Sequence, residues 1–118
     1  MIDFSDWYKV FQEAPMGYSC GDNLRPGNYF YEEAVKYYDN ILHFKKTDEI
    51  LDAGCGNGLF LRALSKYSLN LCGVDFADNQ VKLASYMLER IGSTGGVLKS
   101  NIMKLPFRDD TFDKIISL

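Results

Sequence analysis

The 118-residue sequence has no apolar run longer than a few residues, far short of the ~20 that a membrane-spanning helix needs. Its opening, Met1-Ile2-Asp3-Phe4, is acidic and aromatic and lacks the basic start and apolar centre of a signal peptide. Cysteine is scarce. Cys20, Cys55 and Cys72 are odd in number and never spaced Cys-x-x-Cys, so neither a disulfide framework nor a zinc site is suggested. Free thiols in a reducing compartment fit this pattern, and the chain reads as cytoplasmic with no membrane contact and no metal ligand set. Basic residues form no block beyond Lys45-Lys46 and the net charge is -3, so an electrostatic footprint for nucleic acid is missing. The one histidine, His43, has no partner motif and reads as structural or solvated. Internal repeats and low-complexity segments are also absent.

What remains is the composition of an ordinary globular domain, 47% apolar and 25% charged, in a chain long enough for one core and too short for two. It divides near Lys45-Lys46-Thr47 into a helical, aromatic-rich leader over residues 1–46 and an alternating strand and helix section over residues 47–118. In the leader, Phe4, Trp7, Tyr8 and Phe11 recur at helical spacing behind Asp3 or Ser5 as caps. Ala14-Pro15 and Met16-Gly17 end that helix. The stretch holding Gly21, Asp22, Asn23, Pro26 and Gly27 reads as loop, and Phe30, Ala34, Tyr37, Ile41 and Leu42 form the stripe of a second helix.

From Glu49 the period changes. Ile50-Leu51-Asp52-Ala53 is a short buried strand, followed by glycines and a helix over Leu59 to Leu64. Leu71 to Asp75 is a second strand, and a helix from about Asp78 to Arg90 follows it. Gly95 to Lys99 and Phe112 to Leu118 read as a third and a fourth strand. Such alternation implies parallel strands, right-handed crossovers and helices on both sheet faces.

The segment Asp52-Ala53-Gly54-Cys55-Gly56-Asn57-Gly58 carries the most chemistry. Without side chains, Gly54, Gly56 and Gly58 let the backbone turn tightly and let a ligand lie against the main chain, while the next helix offers amide donors at its start. A dinucleotide loop would read Gly-x-Gly-x-x-Gly or Ala, and here Leu59 occupies the position that should be small. Asp75 ends the second strand 17 positions after Gly58, where a carboxylate in a doubly wound sheet can accept from both hydroxyls of a ribose. By itself it would read as a solvated strand end or a helix cap.

This glycine segment resembles the first motif of class I S-adenosylmethionine-dependent methyltransferases, Asp-x-Gly-Cys-Gly-x-Gly. Ser100 to Asp113, with Leu105-Pro106-Phe107 before Asp109, Phe112 and Asp113, resembles the family's passage from third to fourth strand. The resemblance covers about Glu49 to Leu118. It implies a Rossmann-like α/β sheet with strand order 3-2-1-4, truncated after the fourth strand, with helices before it. S-adenosylmethionine is the implied cofactor and S-adenosylhomocysteine the product.

The implied cofactor-binding residues are Asp52, Gly54, Cys55, Gly56, Gly58, Asp75, Phe76, Asn101 and Ile102. Asp52 supports the methionine amino group, Phe76 flanks the adenine, Asn101 accepts from the adenine amino group where the family often has aspartate, and the Ile102 amide donates to the ring. Where the family has a serine or threonine cap after the ribose acid, this chain has Ala77, with Asp78 supplying negative charge to the helix start. Tyr18, Arg25 and Tyr29 are candidates for the methionine carboxylate.

No catalytic base is named, because the family completes its acceptor pocket beyond the fourth strand. The methyl acceptor is unknown, with a small molecule favoured, and the isolated chain is expected to be weakly active. The fourth strand, Ile115 and Ile116 included, is expected to present an open apolar edge that self-associates or takes a partner chain. Two other readings stay open: a non-catalytic nucleoside-binding module or scaffold, and half of a nicotinamide-dependent oxidoreductase, with which Leu59 conflicts.

Overall fold

The computed structural model describes residues 26–117. The expected first helix of the leader lies outside them. Helix α1 spans Pro26–Leu42. Pro26 and Gly27, expected in a loop, instead open this helix, where proline's missing N–H breaks no helical hydrogen bond and its fixed φ suits the first turn.

The buried face of α1 also differs from the expected stripe. Val35 is buried and Tyr31, Ala34, Tyr38 and Leu42 pack beside it, whereas Tyr37 is 63% and Ile41 56% exposed. Apolar residues occur all round this helix, so more than one stripe of period 3.6 could be drawn through it. The neighbour it meets decides which one is buried. The helix ends with His43 in the left-handed region (φ 54°), its amide donating to Asp39 O at 2.8 Å. Exposed at this end, His43 serves the chain's turn.

Four parallel strands follow: β1 (Ile50–Ala53), β2 (Leu71–Asp75), β3 (Val97–Lys99) and β4 (Lys114–Ile116), in the order β3-β2-β1-β4. This is the expected order. β1 lies at the centre with Asp52 between Gly73 and Ile116 in register, and all four of its residues are buried, as an apolar central strand requires. The two outer strands are shorter than expected. Gly95 and Gly96 stay outside β3 although the Gly96 carbonyl accepts from Gly73 N at 3.0 Å, and Phe112 leaves the ladder to stack edge-on against Phe107 at 4.9 Å. Below the sheet Lys114 Nζ pairs with Asp48 at 2.8 Å, and Asp113 Oδ2 accepts from Glu49 N at 2.8 Å, pinning β4 to the chain that enters β1.

Helix α2 (Leu59–Leu64) connects β1 to β2, and α3 (Asp78–Ile91) connects β2 to β3. α3 stops at Gly92 (φ 76°), where Ser93 N reaches back to Leu88 O at 3.0 Å. Among the described residues all three helices share one face, with Ile50, Leu61, Leu64, Leu71, Leu88 and Ile116 as its core. The expectation of helices on both faces is not met in this part of the chain, and chain direction explains why. The steps β1 to β2 and β2 to β3 run the same way, so right-handed crossovers leave both helices on one side. The return from β3 to β4 runs the other way and crosses the opposite face, where Leu105, Phe107 and Phe112 pack on Leu51, Ala53 and Val74. Ile116 faces the helical core and is buried, so of the two isoleucines expected at the open edge only Ile115 is exposed, at 56%.

Candidate functional site

The crevice opens where β1 ends, between β2 and β4, the point at which strand order reverses and open α/β sheets bind ligands. Asp52, Gly54, Cys55, Gly56 and Asp75 line one cavity of about 430 Å³, together with Tyr31, Asn57, Phe60 and Gln80. Three backbone turns make the loop. Gly54, Gly56 and Gly58 all have positive φ (79°, 54° and 90°), a region that costs L side chains energy. A Cβ on Gly54 would have nothing within 4 Å, and one on Gly56 would come no closer than 3.9 Å to Gln80 Oε1, so both glycines leave open space above bare main chain. Gly58 is different. A Cβ there would lie 3.0 Å from Ala84 Cα and 3.3 Å from Met87 Cβ, so its bareness lets α2 start against α3.

Most of the loop's amides are used internally. Gly54 N and Cys55 N both donate to Val74 O at 2.8 and 2.9 Å, Gly56 N donates to Asp75 Oδ2 at 2.9 Å, Gly58 N to Cys55 O at 3.1 Å and Leu59 N to Asn57 Oδ1 at 3.2 Å. The expected unpaired donors at the start of α2 are therefore absent at Gly58 and Leu59, because a loop this tight closes on itself. A pyrophosphate needs such donors.

Asp75 is held on both sides, since its Oδ1 accepts from Ala77 N at 3.0 Å while Oδ2 holds Gly56. Each oxygen keeps a further lone pair for a ligand hydroxyl. The same contact repairs part of the missing cap, for Ala77 begins α3 with no side-chain bond of its own. Asp78 stands in the first turn, as expected, and pairs with Lys99 at 3.0 Å.

Asp52 is 1% exposed, and its Oδ1 is buried with no hydrogen-bond partner. Burial, and then the charge of Asp75, push its carboxyl up to about 7. A buried polar atom without a partner is costly and calls for a reason. Cys55 is the opposite case. Its thiol, pushed up to about 12 by burial and then by Asp52 and Asp75, donates weakly to Gly56 O at 3.7 Å and fills the space above Gly73. It remains a neutral packing group.

Against known proteins, residues 51–118 match a family model described as a methyltransferase domain, which is more than half of the chain. The chain belongs to that family. It is a class I S-adenosylmethionine-dependent methyltransferase domain. It is 28% identical over 112 residues to a sterol 24-C-methyltransferase of Kluyveromyces lactis, covering 86% of this chain and 30% of that protein. To cycloartenol-C-24-methyltransferase 1 of Oryza sativa it is 31% identical, over 83% of this chain and 28% of the relative. A solved S-adenosylmethionine-dependent methyltransferase from Aquifex aeolicus superposes with a TM-score of 0.59 at 28% identity, over 74% of this chain and 46% of that one. The chain thus spans about three tenths of the length of these curated relatives.

The cofactor of this methyltransferase class suits the crevice. The unpartnered oxygen of Asp52 and the open space over Gly54 and Gly56 are what a cationic amino acid group joined to a nucleoside would use. Of the residues expected to bind it, Gly58, Phe76, Asn101 and Ile102 lie outside the cavity lining. Phe76 is 73% exposed, and Asn101 and Ile102 are exposed on a turn beside the end of β2, where Ser100 N bonds to Asp75 O at 2.9 Å. Asn101 Oδ1 already accepts from Met103 N at 2.9 Å, a turn-closing role. Tyr18 and Arg25 lie outside the described residues, as does the side chain of Tyr29.

Tyr31, from the same helix, lines the crevice and was missed, with Phe60 and Gln80. Tyr31 and Phe60 looked like ordinary members of helical stripes. Gln80, five residues after the ribose acid and in the first turn of α3, was the one signal that could have been read.

Proposed function

We propose that the crevice binds S-adenosylmethionine and that the protein transfers its methyl group to a small apolar molecule. The observation carrying this reading is the buried, unpartnered carboxyl of Asp52 in one cavity with the oriented carboxylate of Asp75. In this reading Asp75 accepts from the ribose hydroxyls, Asp52 faces the methionine ammonium, and Gly54 and Gly56 let the cofactor lie on main chain. Cys55 and Gly58 shape the loop from behind. Phe76, Asn101 and Ile102 meet the adenine at the rim. When bound, the sulfonium supplies an activated methyl group, and the protein's share is alignment and exclusion of water.

Calorimetry with S-adenosylmethionine, S-adenosylhomocysteine and NAD tests the reading. The first two are expected to bind, and Asp75→Ala to weaken both. Binding of NAD alone would overturn it. For the acceptor, similarity to sterol 24-C- and cycloartenol-C-24-methyltransferases supports a sterol-like molecule. Radiolabelled methyl transfer to sterols, compared with transfer to amines and to nucleic acid, discriminates these classes. The 118-residue chain is expected to turn over weakly.

The division into a leader over 1–46 and an α/β part over 47–118 belongs to the same proposal, as do a cytoplasmic location and a partner strand at the β4 edge. Ile115, exposed on that edge, supports the last. No helix among the described residues is long and apolar enough to cross a membrane.

A further inference from the structure

Among the described residues two acids line the crevice, and no Lys, Arg or His lines it with them. Every described element packed around Asp52 leaves that imbalance in place. β2 contributes Gly73 beside it and Asp75 beyond; β4 contributes Ile116. The loop contributes the neutral Cys55 thiol and Asn57, α1 the phenol of Tyr31, α2 Phe60 and α3 the amide of Gln80. The cation of the neighbouring strand, Lys114, is engaged by Asp48 at 2.8 Å, and Lys99 by Asp78 at 3.0 Å. Asp52 Oδ1 is buried and accepts no hydrogen bond. Burial without a partner, and then the nearby charge of Asp75, make the ionised form of Asp52 costly.

We infer that Asp52 holds a proton in the ligand-free protein and that a ligand bearing an ammonium group expels it, so that cofactor binding and proton release are one event. The step balances without any redox change. The Asp52 O–H bond breaks, the proton passes to solvent, and the ligand's positive charge replaces it beside the carboxylate. Burial and the Asp75 charge hold this carboxyl up to about 7, which puts the exchange near neutral pH. The inference rests on the proposed cofactor and adds to it a requirement for ligand charge and a pH dependence.

The test is titration calorimetry on the 118-residue chain at pH 7 in buffers of different ionisation enthalpy, where the slope of observed heat against that enthalpy counts protons. S-adenosylmethionine and S-adenosylhomocysteine are expected to release about half a proton each. Their affinity should rise roughly 25-fold from about pH 5.5 to about pH 7.5, a window below the ordinary α-amino range near 8. 5′-Methylthioadenosine shares the nucleoside and thioether but has no amino group, and it should bind with no release. Asp52→Asn should bind the cofactor with buffer-independent heat and a flat pH profile.

Cofactor binding by the unaltered chain without proton release, or equal release by methylthioadenosine, overturns the inference and leaves the proposed function standing. No binding of either adenosyl compound at any pH overturns both. If Asp52→Asn does not fold, the unaltered chain's buffer slopes and the methylthioadenosine arm decide alone.

Discussion

Asp48 and Asp52 stand four residues apart, one just before β1 and the other inside it, and they are 5% and 1% exposed. They titrate in opposite directions. Burial works against the charge of Asp48, but hydrogen bonds from Lys114 Nζ and the Lys45 amide, with the nearby lysine charges, hold its carboxyl below the usual range. Asp52 has no such partner, and burial followed by the charge of Asp75 raises it to about 7. Burial alone therefore does not tell a structural acid from a functional one. The partner does: Asp48 has its cation built into the fold, whereas Asp52 faces a cavity to which none of the described residues brings one.

The largest test of that contrast is Lys114→Met. It strips the buried Asp48 of its cation and should cost about 3 kcal/mol of stability in urea titrations at pH 7. The sign with pH is also set. Because the folded carboxyl lies below its unfolded value of 3.8, its contribution is present above that value and lost as pH falls through the folded one. Lys114→Met should abolish this acid-side loss.

Asp52→Asn should do the reverse and stabilise the ligand-free protein by about 2 kcal/mol at pH 8 with little gain at pH 4. Folded Asp52 keeps its proton up to about 7 while the unfolded residue loses it near 3.8, so the parent protein loses stability as pH rises between those values. Thermal melts of both proteins across that range check it. An equal gain at both pH values would mean that the carboxyl's charge is not the cause.

Asp75→Ala sharpens the same contrast from the neighbouring strand. Removing its charge should lower the Asp52 titration measured by carboxyl chemical shifts. Loss of its bonds to Gly56 N, Ala77 N and the ligand should weaken S-adenosylhomocysteine about tenfold or more in calorimetry. Lys99→Ala closes the series. Its pair with Asp78 is exposed on both sides, and the change should move stability by less than about 0.5 kcal/mol, so a large effect would show that partner alone, without burial, matters.

Much of this molecule was legible in local pattern. β1, α2, β2 and α3 stand at the expected positions because each combines an apolar run with glycine, aspartate or asparagine at its ends. The glycine loop was legible because its spacing permits few backbone paths. Other features depended on distant neighbours. The buried stripe of α1 was not recoverable, since which of its aromatics turns inward depends on where α2 presents Phe60. Gly73 gave no signal, yet a Cβ there would lie 2.8 Å from Cys55 Sγ, a contact made only when β2 pairs beside the loop.

By itself, then, the sequence determined the alternation of strands and helices, the tight loop after β1 and the acid at the end of β2, because these follow from side-chain size, periodicity and backbone freedom over a few residues. Only the tertiary structure decided that Asp48 is neutralised and Asp52 is not, and that Gly54, Cys55 and Gly56 spend their amides on β2 before any ligand arrives. Charge and hydrogen bonding inside a protein depend on which groups meet across strands, and Lys114 and Asp48 meet across 66 positions of chain.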